Sequence, residues 1–275
     1  MKRAAIFAFA ALGAGVGCAF DLAEPKAGGS EVIQPEAGSE GGGASSGAAT
    51  PDGGDPASPC LTQGAWLFCD DFDAKSDLSA LWTLGVDLDG DQTSLDKASG
   101  RVSARLPKAD PGDKKKARVG TTVDLDEKGL HIELDVFLHN TEPTANYNLL
   151  EATVDQATGI DTESLSVYDD ESYAALSVKQ PTYDSLKGPP LPKKRWLHLV
   201  FDIKPNATSG DAVLSYRPRE LPNEPLTELV HFKGLSFTVN AAPRKAHVYL
   251  GLARYDVATP EVIVDYDNFA VSKLP

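Results

Sequence analysis

From Ala65 to the C-terminus the chain alternates apolar and polar residues with a period of two, and that alternation commits it to β-structure. Leu130, Ile132, Leu134, Val136 and Leu138 fall on one face of a nine-residue run, and His131, Glu133, Asp135 and Phe137 fall on the other. Residues 101–106 repeat the pattern with Val102, Ala104 and Leu106. Runs of the same kind cover 65–69, 148–154, 163–168, 173–179, 196–203, 212–216, 226–232, 247–253 and 262–271. Turn-forming residues separate them at 87–90, 110–112, 188–190 and 206–210, and Lys114–Lys116 reads as a solvated basic turn. No stretch of this region carries a long 3.6-residue repeat, and only 74–81 suits a helical turn. Many short strands with regular turns make an all-β domain, either a two-sheet sandwich or a barrel.

The N-terminus is a different material. Lys2 and Arg3 precede an apolar run, Ala4 to Leu12, that is too short to span a bilayer. Small residues follow, ending in Val16-Gly17-Cys18. This resembles the lipobox of bacterial lipoproteins, with Gly15 where Leu is usual. The resemblance implies a signal peptide over 1–17, acylation of Cys18, and lipid anchoring at the bacterial cell envelope. Ala19, where an Asp would signal inner-membrane retention, implies the outer membrane. Residues 18–59, rich in Gly, Ser, Pro and Glu, offer little to bury and read as a disordered tether with a reach of about 35 Å. The domain then covers 60–275.

The formal charge is −14, and loss of the two signal cations takes it to −16. A surface that acidic excludes nucleic acid, which needs cations to replace its counterions. It suits neutral glycans, cations or basic partners. With Cys18 acylated, Cys60 and Cys69 remain as a pair in an oxidising compartment, which predicts a disulfide. Trp82 and Trp196 are expected in the core.

Several segments together resemble the concanavalin A-like lectin/glucanase superfamily, specifically laminin-G-like jelly rolls. They are Phe68-Cys69-Asp70-Asp71-Phe72-Asp73 with Leu81-Trp82, the strand from Arg195 to Ile203, and the closing strand Val264-Asp265-Tyr266-Asp267-Asn268-Phe269-Ala270-Val271. The resemblance implies a two-sheet antiparallel jelly-roll sandwich that presents a non-catalytic, carbohydrate-binding face. The alternatives are a structural or protein-interaction domain of the envelope and, third, a glycoside hydrolase. In the hydrolases a strand carries two glutamates flanking an aspartate. Glu133 and Asp135 match the first two positions, but the acid/base position falls on Phe137 or, with a bulge, on Leu138. Retaining hydrolysis needs both carboxyls, so Glu133 and Asp135 are expected as the polar floor of a groove.

Aromatic rings pack on the apolar faces of sugars. Tyr249 and Tyr255 flank the small-residue stretch Gly251-Leu252-Ala253, with Arg254 as a donor fork and Tyr147 as a further ring. The superfamily pairs its first and last strands, and some members hold a structural Ca²⁺ there. By that resemblance Asp71, Asp73, Asp265 and Asp267 are the candidate ligands. Asp87, Asp89 and Asp91 share one turn without the later Glu of a calcium loop. No other cofactor is implied.

Overall fold

The structure, a computed structural model, describes residues 58–61, 65–73, 77–98, 100–108, 110, 112–139, 147–154, 163–169, 174–179, 183–204, 210–235, 244–254 and 260–275. All belong to the compact unit Thr50–Pro275. Cys18, the signal segment, most of the tether and Tyr255 lie outside the described residues. Among the described residues, no helix is long and apolar enough to cross a membrane.

The chain order is β1 (Trp66–Asp70), α1 (Leu78–Leu81), β2 (Gly85–Asp89), β3 (Ser94–Ala98), β4 (Arg101–Leu106), β5 (Lys115–Leu125) and β6 (Leu130–Leu138). It continues with β7 (Tyr147–Val154), β8 (Glu163–Asp169), β9 (Ala174–Lys179), β10 (Tyr183–Lys187) and β11 (Trp196–Lys204). β12 (Gly210–Pro218), β13 (Thr227–Leu235), β14 (Arg244–Arg254) and β15 (Val262–Lys273) complete it. Every pairing is antiparallel. One sheet has the order β13-β12-β11-β6-β15-β4-β3, with β1 also on β15, and the other has the order β10-β9-β8-β7-β14-β5-β2. The fold is a two-sheet antiparallel jelly-roll sandwich, as expected, and its first and last strands do pair.

The alternation of β6 does what the sequence implies. Leu130, Ile132, Leu134, Val136 and Leu138 are buried in the core, facing Ala246, Val248, Leu250 and Leu252 of the second sheet. Each large side chain so buried contributes roughly 1.5–3 kcal/mol of transfer free energy. Tyr266 of β15 spans the core, and its hydroxyl donates to the Leu149 carbonyl of β7 at 3.2 Å, tying one sheet to the other. The predicted disulfide is present: Cys60 and Cys69 are bonded, joining the 3₁₀ turn Pro59–Leu61 to β1.

Four strands fall where the sequence pattern shows none. β5 begins in the lysine run read as a turn, and Lys115 and Lys116 are half-buried along their stems. β2 occupies the stretch read as an acidic turn, with Gly90 (φ +96°) making the turn itself. β2, β3 and β10 are sheet edges. An edge strand buries less than half its surface, so its sequence need not alternate. Trp196 also departs from expectation. It lies half-buried on the outer face of the first sheet, against Phe137 (5.7 Å) and under the Arg219 guanidinium (5.0 Å).

Candidate binding site

Two outward faces carry organised polar groups. On the first sheet, Glu133 and Asp135 share a face as expected, but Asp135 is closed in, at 2% exposure. Its Oδ1 accepts from His198 Nδ1 at 2.9 Å. Its Oδ2 accepts from Asn268 Nδ2 at 2.9 Å and pairs with Arg219 Nε at 3.2 Å. Arg219 also holds Asp267 at 2.9 Å. Asn268 reaches this face because β15 is irregular between Asp267 and Ala270, with Asn268 at φ +50°, a conformation Asn tolerates. Both carboxylate oxygens of Asp135 are therefore committed to protein donors. Phe137 and Leu138, where the hydrolase pattern needs its acid/base, carry no titratable group. Asp135 is therefore a buried member of a structural network, while Glu133 beside it stays partly exposed.

His131 extends the network along β6. Its Nδ1 lies 2.5 Å from Asp202 and its Nε2 lies 2.6 Å from Glu133. Two carboxylates can only accept, so both ring nitrogens must donate, and the ring is an imidazolium. Its pKa rises from 6.5 to about 9, first through the Asp202 hydrogen bond and then through that of Glu133. The His131 hydrogen bond lowers the Glu133 pKa in turn, so Glu133 is poorly suited to act as a general acid. Because the folded pKa of His131 is raised, its stabilisation is complete below pH 6.5 and is lost as pH rises through about 9. Wild-type stability is expected to fall between these limits, and His131→Gln to remove that slope. NMR titration of the ring checks the cause: a midpoint near 6.5 would show that the clamp does not hold in solution.

The four aspartates offered as calcium ligands do not converge. Asp71 bonds Ser58, Asp73 lies against Gly100, Asp265 pairs with His139 (3.0 Å) and Arg101 (3.6 Å), and Asp267 pairs with Arg219. Among the described residues no group of three or more His, Cys, Asp or Glu side chains is arranged to hold an ion. Asp265 and Asp267 are already paired with Arg101 and Arg219, so the residues present do not fit that ion. Asp87 belongs to β2 and pairs with Arg118, so it is no part of a calcium loop.

The outer face of the second sheet is built differently. Arg118 projects from the middle of β5, where Ala117 and Val119 on either side are buried in the core. Its Nε donates to Asp87 Oδ2 at 2.9 Å and its Nη1 donates to Glu151 Oε2 at 3.1 Å. The guanidinium lies over the Tyr249 ring at 4.0 Å, in cation–π contact. Gly120, the cross-strand partner of Tyr249, makes room for that ring: a Cβ there would stand 2.6 Å from Tyr249 Cδ1. Gly251 is required in the same way, since its φ is +124° and a Cβ would meet the Ala117 carbonyl at 2.4 Å. Asn148 Nδ2 and Thr153 Oγ1 donate to Glu151, and His247 Nδ1 lies 3.0 Å from Thr122 Oγ1.

These groups form a half-buried field of donors and acceptors on one side of a phenol ring. Such a field suits a polyhydroxylated ligand, whose neighbouring hydroxyls both donate and accept. Tyr249 is the predicted site residue that lies here. Tyr147 is buried in the core and offers no ring to solvent. Arg254 is fully buried and does not join the Tyr249 group. Arg118, Glu151, Asp87 and His247 are the site members that sequence reasoning missed. The signal for Arg118 was available, as a cation between Ala117 and Val119 on a period of two, but the lysine run before it and Gly120 and two threonines after it interrupt the pattern.

No protein-family model and no curated protein matches this chain. Solved structures with a similar shape include the cellulose-induced protein Cip1, which is 11% identical with a TM-score of 0.49 over 74% of this chain and 96% of that one. Alginate lyase A1-II′, a member of polysaccharide lyase family 7, is 9% identical with a TM-score of 0.46 over 64% and 80%. A CBM2 module of the evolved Dit of Lactobacillus casei BL23 phage J-1 is 11% identical with a TM-score of 0.45 over 75% and 94%. None of these likenesses assigns an activity to this chain.

Proposed function

We propose that this chain is an exported, lipid-anchored, non-catalytic module that binds carbohydrate on the outer face of its second sheet. The observation that carries the reading is the Arg118–Tyr249 stack over Gly120, flanked by Glu151 and Asp87. It fixes one ring and several hydrogen-bonding groups in a single half-buried patch, ordered before any ligand arrives. Export follows from the N-terminal pattern of Lys2, Arg3 and the lipobox-like Val16-Gly17-Cys18. The tether then holds the domain off the outer membrane, where envelope or environmental polysaccharide is the ligand at hand.

The test is an array of glycans and polysaccharides probed with the chain and with Tyr249→Ala. Selective binding is expected, with Tyr249→Ala weakening it by about 2 kcal/mol, the usual scale for an anchoring aromatic. Glu151→Gln, which keeps size and removes charge, is expected to weaken it less. Binding unaffected by Tyr249→Ala would move the site elsewhere. A blank array from folded protein would leave a protein-interaction role in the envelope.

A further inference from the structure

Among the described residues, the large apolar side chains left exposed gather where the chain enters β2: Leu81, Leu84, Val86 and Leu88 are four of the seven. They do not share one surface. Val86 and Leu88 stand opposite Val119 and Ala117, whose side chains are turned to the core, so both lie on the core side of the sheet at its edge. Leu84 lies on the other side, beside Tyr249. A Cβ on Gly120 would stand 2.6 Å from Tyr249 Cδ1 and 3.1 Å from Leu84 Cβ, so the ring and the leucine are neighbours over one glycine. Leu84 is 39% exposed there.

The turn that carries Leu84 is fastened to the core and to β5. Trp82 is buried, and its carbonyl accepts from the Gly85 amide at 2.8 Å. Gly85 takes φ +71°, which lets the chain pass from this turn into β2. The Leu84 amide donates to the Gly120 carbonyl at 2.9 Å, and Thr83 Oγ1 accepts from the Thr122 amide at 2.9 Å. An aliphatic side chain is thus held in the open next to a ring, its position set before any ligand arrives. The charges around the pair are matched: Arg118 bonds Asp87 and Glu151, and Lys116 lies 3.5 Å from Asp87. Two cations offset two carboxylates, which favours an uncharged ligand. A hydroxyl pressed on Leu84 would lose water without gaining a partner from that side chain.

We propose that Leu84 receives a methyl group of the sugar bound at Tyr249, so that the ligand is a neutral glycan carrying N-acetyl or 6-deoxy groups. This rests on the carbohydrate reading above and adds the substituent that the site selects. A methyl gains by leaving water for the leucine, whereas the hydroxyl or hydroxymethyl that replaces it in the parent sugar does not.

Calorimetry on the full chain, wild type and Leu84→Ala, tests this with pairs of sugars that differ in one kind of group. Chitotriose against cellotriose exchanges N-acetyl for hydroxyl, and de-N-acetylated chitotriose is the control for the nitrogen. L-fucose against L-galactose, and L-rhamnose against L-mannose, exchange methyl for hydroxymethyl. One methyl in an apolar site is worth roughly 10–200-fold, and the exposure of Leu84 places the expectation at the low end, about tenfold for at least one pair. Leu84→Ala is expected to fold, because the amide and not the side chain bonds Gly120, and to abolish that preference. Tyr249→Ala is expected to weaken both members of the pair. Equal binding within every pair, a preference that survives Leu84→Ala, or a preference confined to chitotriose and matched by its de-N-acetylated form would each overturn the assignment. Each of those outcomes leaves the carbohydrate reading standing. No binding of any sugar sinks both.

Discussion

Asp135→Ala is expected to lower the unfolding free energy by about 3 kcal/mol, measured by urea denaturation at pH 7. The loss does not come from one ion pair, since surface pairs are worth under about 1 kcal/mol. It comes from what the substitution leaves behind. His198, Asn268 and Arg219 all aim donors at this carboxylate, and its side chain is 3% exposed. Removing one member of a buried charged cluster costs roughly 3–5 kcal/mol, because its partners remain desolvated and unpaired. Arg219 keeps Asp267 and is 12% exposed, so it recovers part of the deficit, which places the expectation at the lower end. Arg219→Ala alone should cost less, because Asp135 retains His198 and Asn268. A cost below about 1 kcal/mol for Asp135→Ala would show that water replaces the carboxylate freely and that this face is open, reviving a ligand role for it.

The same network shows what periodicity can and cannot report. Alternation along β6 tells which face Asp135 occupies, and that expectation holds. It says nothing about neighbours: His198 and Asn268 are 63 and 133 residues away in the chain and arrive through β11 and an irregular point in β15. The exposed carboxylate imagined from the sequence therefore becomes a buried one. Parity was also the better guide for Trp196. It shares a face with His198, opposite Leu197 and Leu199, so alternation alone places it outside, and only its apolar character argued for the core. The disulfide was legible because an even cysteine count in an exported chain leaves few choices. Tyr249 was legible as an outward ring. Its partner Arg118 was not, because Gly120 looks like a break in a strand when it is the space a ring needs.

Trp82→Ala is expected to be as severe, at about 4 kcal/mol, within the range for deleting a large buried aromatic. Trp82 is 1% exposed, with Phe68 at 4.6 Å, Phe269 at 5.2 Å and Phe72 stacked at 6.3 Å, so the cavity has rigid walls that cannot collapse to fill it. A polar cost adds to the cavity. The indole Nε1 donates to Asp70 Oδ2 at 2.8 Å, and Asp70 is itself buried. Asp70 Oδ1 still accepts from the Phe72 amide at 2.9 Å, which holds Phe72 at φ +58° where β1 turns away. Losing the indole leaves one oxygen of a buried carboxylate unpaired. Trp82→Phe separates the two contributions, since it keeps most of the ring contact and removes only the N–H. It is expected to recover more than half of the loss. Recovery of almost nothing would mean that the Asp70 hydrogen bond, and not the aromatic cluster, fastens β1 to the sandwich.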